Sequence, residues 1–185
     1  PADLVLVAVK LWDTEEVAAQ LKPAVAAGAR VMSLQNGVQK DDVLRAHVPP
    51  EAVLGGVCYI SAVIDEPGVI AYTGALQKIV FGEFDGSPSP LTTDFLDACV
   101  SAGIDAEVSP DITLVTWEKF VFLVGLSATT ATVRQPIGVI RANSRTRVLL
   151  RDVMAEVVAV GRASGVGLAD DFVEERIGFV DTLPA

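Results

Sequence analysis

The segment Asp3-Leu-Val-Leu-Val-Ala-Val9 is an unbroken run of Val, Leu and Ala. That is the pattern of a parallel strand covered on both faces, so helices must lie on either side of the sheet it joins. The next residues supply the first of them. Asp13 or Thr14 can cap a helix whose first turn carries Glu15 and Glu16, favoured at the positive end of the dipole. Val17, Leu21 and Val25, spaced by four, form its inner stripe, and Gly28 ends it. Arg30-Val-Met-Ser-Leu-Gln35 is a second strand, Asn36-Gly37 a turn, and Lys40 to His47 a short helix before Pro49-Pro50. A β-α-β-α order predicts a right-handed crossover into a parallel sheet.

From Ala52 to Phe84 the chain is rich in Val, Ile, Tyr and Gly, with turn signals at Asp65-Glu-Pro-Gly68 and Thr73-Gly74. This predicts antiparallel strands closing one edge of the sheet. Leu91 to Ala102 reads as a helix with Phe95, Leu96 and Val100 inward, and Ile104 to Val108 as a last strand. After Ser109-Pro110 the pattern is helical over 111–133, 144–163 and 168–181, with a short turn near Gly138. The expected fold class is therefore α/β followed by all-α, with domains at 1–109 and 110–185.

Composition narrows the function classes. In 185 residues, 51% hydrophobic content against 21% charged excludes disorder and a low-complexity fibre. A formal net charge of −10 with no basic stripe argues against nucleic acid and against an anionic membrane surface. The apolar run Phe120–Val133 contains Ser127, Thr129, Thr130 and Thr132. It is shorter than the roughly 20 residues of a bilayer span and reads as a buried helix. Cys58 and Cys99 have no metal or redox spacing and read as buried free thiols in a reducing cytoplasm. A strand that begins three residues from Pro1, without Met or signal peptide, reads as part of an internal piece of a longer protein.

Most catalytic inventories are empty. His47 is the single histidine and reads as a solvated surface residue, leaving no zinc cluster or Ser-His-Asp triad. Gly165-Val-Gly167 follows a helix rather than a strand and reads as a helix-ending turn. Two features carry chemistry. Lys10 and Asn36 stand where the first two strands end, the place where open α/β sheets bind ligands, and could meet a phosphate and a polar cofactor or substrate group. Equally, they could be an exposed strand-end lysine and a turn asparagine in the left-handed conformation. Lys119 falls on one helical stripe with Val115, Phe122, Leu123 and Leu126. Desolvation there would lower its pKa toward the range useful for proton transfer, unless it snorkels out or pairs with Glu118.

Taken in order, Asp3-Leu-Val-Leu-Val-Ala-Val-Lys10, Leu34-Gln-Asn-Gly37, Gly55-Gly56, Trp117-Glu-Lys119 and the helical tail resemble the ketopantoate reductases over essentially the whole chain. These are NADPH-dependent enzymes that reduce 2-dehydropantoate to pantoate on the route to pantothenate. The resemblance implies the second half of a Rossmann-type dinucleotide domain and the start of a helical domain like that of 6-phosphogluconate dehydrogenase. It implies that Lys119 matches the catalytic lysine, which gives a proton to the substrate ketone. It implies that Lys10, Asn36 and the Ala62 backbone contact NADP, and that Asn36 and Ser127 belong to the substrate site. It further implies a cytoplasmic enzyme acting on a small 2-keto acid, and it allows a homodimer.

The chain also departs from that family. Where the typical reductase carries substrate-site asparagines after its catalytic lysine, this sequence has Leu123, Ser127 and Ile137. A polyol acid against Leu and Ile would leave hydroxyls unpaired at about 1–3 kcal/mol each. A more apolar 2-keto acid is therefore the alternative substrate, and a non-catalytic helical oligomerisation module the alternative function. The Gly-rich strand-turn-helix expected before Pro1 and the segment expected after Ala185 lie outside these residues, so this piece is expected to be inactive alone.

Overall fold

The computed structural model describes residues 2–184, with side chains throughout except at 74–76. The chain divides into two compact units, one running up to Thr116 and the other from Trp117. The division falls inside a long helix.

The first unit is a five-stranded sheet in the order β1 (Leu4–Val7), β2 (Arg30–Ser33), β3 (Val53–Glu66), β4 (Val69–Gly82), β5 (Asp105–Val108). β1, β2 and β3 are parallel, as the crossover argument requires, and β3 and β4 form an antiparallel hairpin. The hairpin does not close the edge as expected. β5 pairs parallel to β4 from Lys78 to Phe81 and takes that place, because α3 (Pro90–Ser101) brings the chain back antiparallel to β4 and returns β5 alongside it. Nor is there a turn at Thr73-Gly74: β4 is one strand, and the pairing shifts register between Ile60 and Ala62 instead.

One face of the sheet buries Val7, Val31 and Val53 in a cluster with Leu44 of α2 (Lys40–Arg45), Val48 after it and α1 (Thr14–Ala26), with Val17, Leu21 and Val25 packed as the spacing predicts. The other buries Met32, Leu54 and Phe81 against Phe95 and Leu96 of α3. Phe81 and Phe95 meet edge to face at 4.9 Å, and each such side chain contributes about 1.5–3 kcal/mol by leaving water. Val100 is not inward. It is 62% exposed, and the helix instead buries Cys99 beside it. The cap of α1 also differs: neither Asp13 nor Thr14 caps with its side chain, because the Thr14 hydroxyl is turned back to donate to the Leu11 carbonyl at 2.7 Å. Gly28 does end this helix, at φ +101°.

The second unit is all helical: the later part of α4 (Ile112–Val133), α5 (Ile137–Ala142), α6 (Ser144–Ala163) and α7 (Phe172–Thr182). The expected turn near Gly138 is a short helix. The last helix starts at Phe172, later than 168; the segment before it is held by Arg162, which donates to the carbonyls of Leu168 and Ala169 at 3.0 and 2.6 Å. Gly165, at φ +86°, ends α6, as its position after a helix predicts. The Asn143 side chain caps α6 by accepting from the Arg145 and Thr146 amides, and Leu150, Met154 and Val158 form its inner stripe. Gly125 lets α4 approach Met154 so closely that a Cβ there would lie 2.6 Å from Met154 Cγ.

That close approach decides which face of α4 is inward. Val121, Gly125 and Thr129 are buried, whereas Lys119, Phe122, Leu123 and Leu126 are half-buried, so the stripe expected around Lys119 is the second face rather than the core face. At 22 residues and hydropathy 1.4, α4 is longer than its 14-residue apolar run suggests and reaches bilayer-spanning length by composition alone. It packs on Met154 and Phe179, but 33% of its most apolar window is buried, so the expected buried helix is buried only in part.

Candidate active site

The β1–β2 ladder runs from Leu4 with Arg30 to Val7 with Ser33 and ends there. The two sequence-predicted residues, Lys10 and Asn36, each follow the last paired residue of their strand by three places, beyond the carboxyl ends of β1 and β2. Both are exposed. The residue with positive φ in this turn is Gly37 (φ +106°), not Asn36, so Asn36 is not there to relieve backbone strain.

The ladder stops at Val7 and Ser33, yet the chains stay together beyond it because a side chain continues the bonding. Gln35 is buried, and its amide donates to the Val9 carbonyl at 2.8 Å and to the Thr14 hydroxyl at 2.8 Å. Its carbonyl oxygen accepts from the Ser33 hydroxyl at 2.9 Å. Thr14 in turn donates to the Leu11 carbonyl, so both peptide neighbours of Lys10 are held. The Lys10 carbonyl accepts from the Asp13 amide at 2.9 Å.

Beneath the turn lies an ion pair that the sequence did not reveal. Lys40, 1% exposed, donates to both carboxylate oxygens of Asp41 at 2.9 and 2.8 Å and to the Ser33 carbonyl at 3.3 Å. Burial pushes the Asp41 carboxyl above its ordinary pKa, against the opposing pull of Lys40. Nothing in the local pattern signals this, since a Lys-Asp-Asp start to a polar helix reads as solvated. Gln35 carried a faint signal: in extended chain it shares a face with Ser33, two residues before.

Ala62 is exposed and lies on β3 opposite Tyr72. It is eight residues past Leu54, the residue that pairs with Met32. Since β3 runs parallel to β1 and β2, Ala62 projects beyond their carboxyl ends on the same side of the sheet as Lys10 and Asn36. In the second unit, Lys119 is half-buried and Ser127 exposed, about 12 Å apart along α4 at 1.5 Å per residue. Leu123 stands between them, one turn from Lys119 on its face. His47 is not the solvated residue expected. Its ring is 23% exposed and its Nδ1 lies 3.0 Å from the Val43 carbonyl. Cys99 is buried as expected, Cys58 is half-buried, and neither is in a disulfide. Among the described residues no group of His, Cys, Asp and Glu could hold a metal ion.

Comparison with known proteins agrees with the fold. Residues 1–86 match the family model described as ketopantoate reductase PanE/ApbA, and residues 111–185 match that of the ketopantoate reductase PanE/ApbA C terminal. A 2-dehydropantoate 2-reductase of Halobacterium salinarum is 34% identical over 94% of this chain and 56% of its own length. The crystal structure of 2-dehydropantoate 2-reductase from Geobacter metallireducens superposes with a TM-score of 0.87 at 29% identity, covering 100% of this chain and 63% of that one. That of a PanE/ApbA family ketopantoate reductase from Ralstonia eutropha gives 0.84 at 32% identity, covering 99% and 59%. D-mandelate dehydrogenase shares the fold alone, with a TM-score of 0.85 at 17% identity over 97% of this chain and 59% of that one. The chain spans a little over half the length of the curated relatives it matches. A sheet with parallel strands, a helical unit after it, and matches to both halves of one family over most of the sequence lead to one assignment: the chain belongs to the ketopantoate reductase family.

Proposed function

We propose that the protein to which this chain belongs is an NADPH-dependent 2-keto acid reductase, with 2-dehydropantoate, named in its relatives, as the first substrate to test. The observation that carries the reading is the place of Lys10 and Asn36 just past the carboxyl ends of the parallel strands β1 and β2, with the residues before them joined by the hydrogen bond from Gln35 to Val9. The chemistry of this donor set fits a nicotinamide dinucleotide: an exposed ammonium suits a phosphate, and a carboxamide that both donates and accepts suits a nicotinamide amide or a substrate carbonyl. Residues 1–109 act as the dinucleotide-binding part, with Lys10, Asn36 and the Ala62 backbone holding the cofactor. Residues 110–185 act as the helical substrate and dimerisation part.

When bound, the cofactor supplies a hydride to the keto carbon. Lys119 Nζ supplies the proton that the resulting oxyanion takes up, and before transfer its positive charge stabilises the oxygen as charge develops. Asn36 orients the carbonyl, and the Ser127 hydroxyl serves the substrate's polar end. The enzyme works in the cytoplasm, as biosynthetic relatives would.

A second reading of the substrate rests on Leu123 and Ile137, both half-buried in the second unit. If these apolar groups meet the substrate, they favour a 2-keto acid whose side chain lacks hydroxyls. The test of function is Lys119→Ala in the full-length protein with NADPH and a panel of keto acids. Turnover is expected to fall about 10²-fold or more with NADPH affinity unchanged, as for loss of a positioned proton donor. Turnover within threefold of wild type would overturn the assignment, and the panel separates 2-dehydropantoate from apolar keto acids.

A further inference from the structure

Lys10 and Asn36 are exposed, and the last backbone ladder pair, Val7 with Ser33, is three residues before them. Two loop residues beyond the end of a ladder would ordinarily move independently, because nothing in the sheet bonds them. Here the residue before each is tied to the other strand: Gln35, preceding Asn36, donates to the carbonyl of Val9, which precedes Lys10. The residue after Lys10 is held as well, through Thr14 on the Leu11 carbonyl, and Thr14 is itself an acceptor of the Gln35 amide. Ser33, with no exposure, fixes the amide's orientation by donating to its oxygen, which leaves the NH₂ group facing Val9 and Thr14. One buried side chain thus joins the two exposed residues that the proposed function assigns to the cofactor.

We propose that Gln35 is a positioning residue for cofactor binding, acting through the backbone on Lys10 and Asn36 rather than by touching the ligand. The inference rests on the reading of the protein as an NADPH-dependent reductase. The amide can make these bonds in one orientation only: Val9 offers a carbonyl, and Ser33 already gives its proton to Gln35 Oε1. A carboxylate of the same length would put oxygen against the Val9 carbonyl, and a leucine would make none of the bonds. Loosening the pair should weaken binding before it slows chemistry, since pre-organised sites gain affinity by avoiding the ordering cost at the moment of binding.

The experiment compares wild type, Gln35→Leu, Gln35→Glu and Thr14→Val as full-length proteins, measuring the NADPH dissociation constant by fluorescence titration, KM and kcat at saturating keto acid, and thermal melting. Gln35→Leu and Gln35→Glu are expected to raise Kd and KM for NADPH tenfold or more, with kcat at saturating NADPH within about threefold. Thr14→Val, which removes one acceptor and keeps the Val9 bond, is expected to raise them less. It also carries the test if the Gln35 variants do not fold. A purely structural role would lower the melting temperature while leaving Kd, measured well below it, unchanged. Kd and KM within twofold of wild type in folded variants would overturn the inference while leaving the function standing. Failure of the wild-type protein to bind NADPH would overturn both.

Discussion

Replacing Lys40 by Met removes the cation from a pair that water barely reaches, with side-chain exposures of 1% for Lys40 and 9% for Asp41. Both carboxylate oxygens of Asp41 lose a donor, and so does the Ser33 carbonyl. Breaking a buried pair by removing one partner costs about 3–5 kcal/mol, mostly because the remaining charge is stranded. Once Lys40 is gone, Asp42 acts against the Asp41 carboxylate more than Arg45 acts for it, so the lower end of that range is the minimum expected. A loss of about 3 kcal/mol at pH 7 lowers the melting temperature by about 6–12 °C in a chain of this size. The pH dependence has a definite sign. Burial already raises the Asp41 pKa above 3.8, and Lys40 is the chief influence lowering it, so the variant's folded-state pKa rises further. A carboxyl with a raised folded pKa destabilises most above that pKa, and the penalty disappears as pH falls through it toward the unfolded value. Urea unfolding followed by far-ultraviolet circular dichroism at pH 7 and pH 5 is the assay, with Lys40→Met/Asp41→Leu as the second variant. The double variant is expected within about 1 kcal/mol of wild type, since well-packed apolar replacements of buried pairs are often neutral. A single-variant loss below about 1 kcal/mol at pH 7, or one equal at both pH values, would refute the reasoning.

Two further outcomes come from packing and charge. In Gly82→Ala the new Cβ would sit 2.4 Å from the Ser109 carbonyl oxygen, while the Ser109 amide is held on Phe81 at 2.8 Å. Neither backbone can yield, so a destabilisation of about 1–3 kcal/mol is expected, and an unchanged melting temperature would contradict it. Arg147, hydrogen-bonded to Asp181 between α6 and α7, holds the Asp181 carboxyl below its ordinary pKa. Its stabilising contribution is therefore present above pH 3.8 and lost as pH falls through the lower folded value. Asp181→Asn should flatten the acid limb of the stability profile below pH 4, and an identical limb in variant and wild type would count against the pairing.

Periodicity and punctuation in the sequence determined most of the local structure, because they report one segment at a time. The four-residue spacing of Val17, Leu21 and Val25 and Gly28 after α1 named that helix, its inward face and its end; the apolar run at Leu4–Val7 named its strand but not its burial, since β1 lies at the edge of the sheet with Val7 buried and Leu6 47% exposed rather than covered on both faces. The ordered motifs around Lys10, Asn36 and Lys119 named the family. What tertiary structure decided concerns pairs of segments that no local window contains. It placed β5 rather than the hairpin at the edge of the sheet. It turned Val121, Gly125 and Thr129 of α4 inward in place of the Lys119 face, because Gly125 admits Met154. Lys40 and Asp41, a solvated helix start by composition, became a buried pair only once β2 and its following turn enclosed them. Gln35 shows the division most clearly: its alternation with Ser33 can be read from the sequence, but its partner Val9 lies 26 residues away. Only the pairing of two parallel strands brings that carbonyl within reach of the amide.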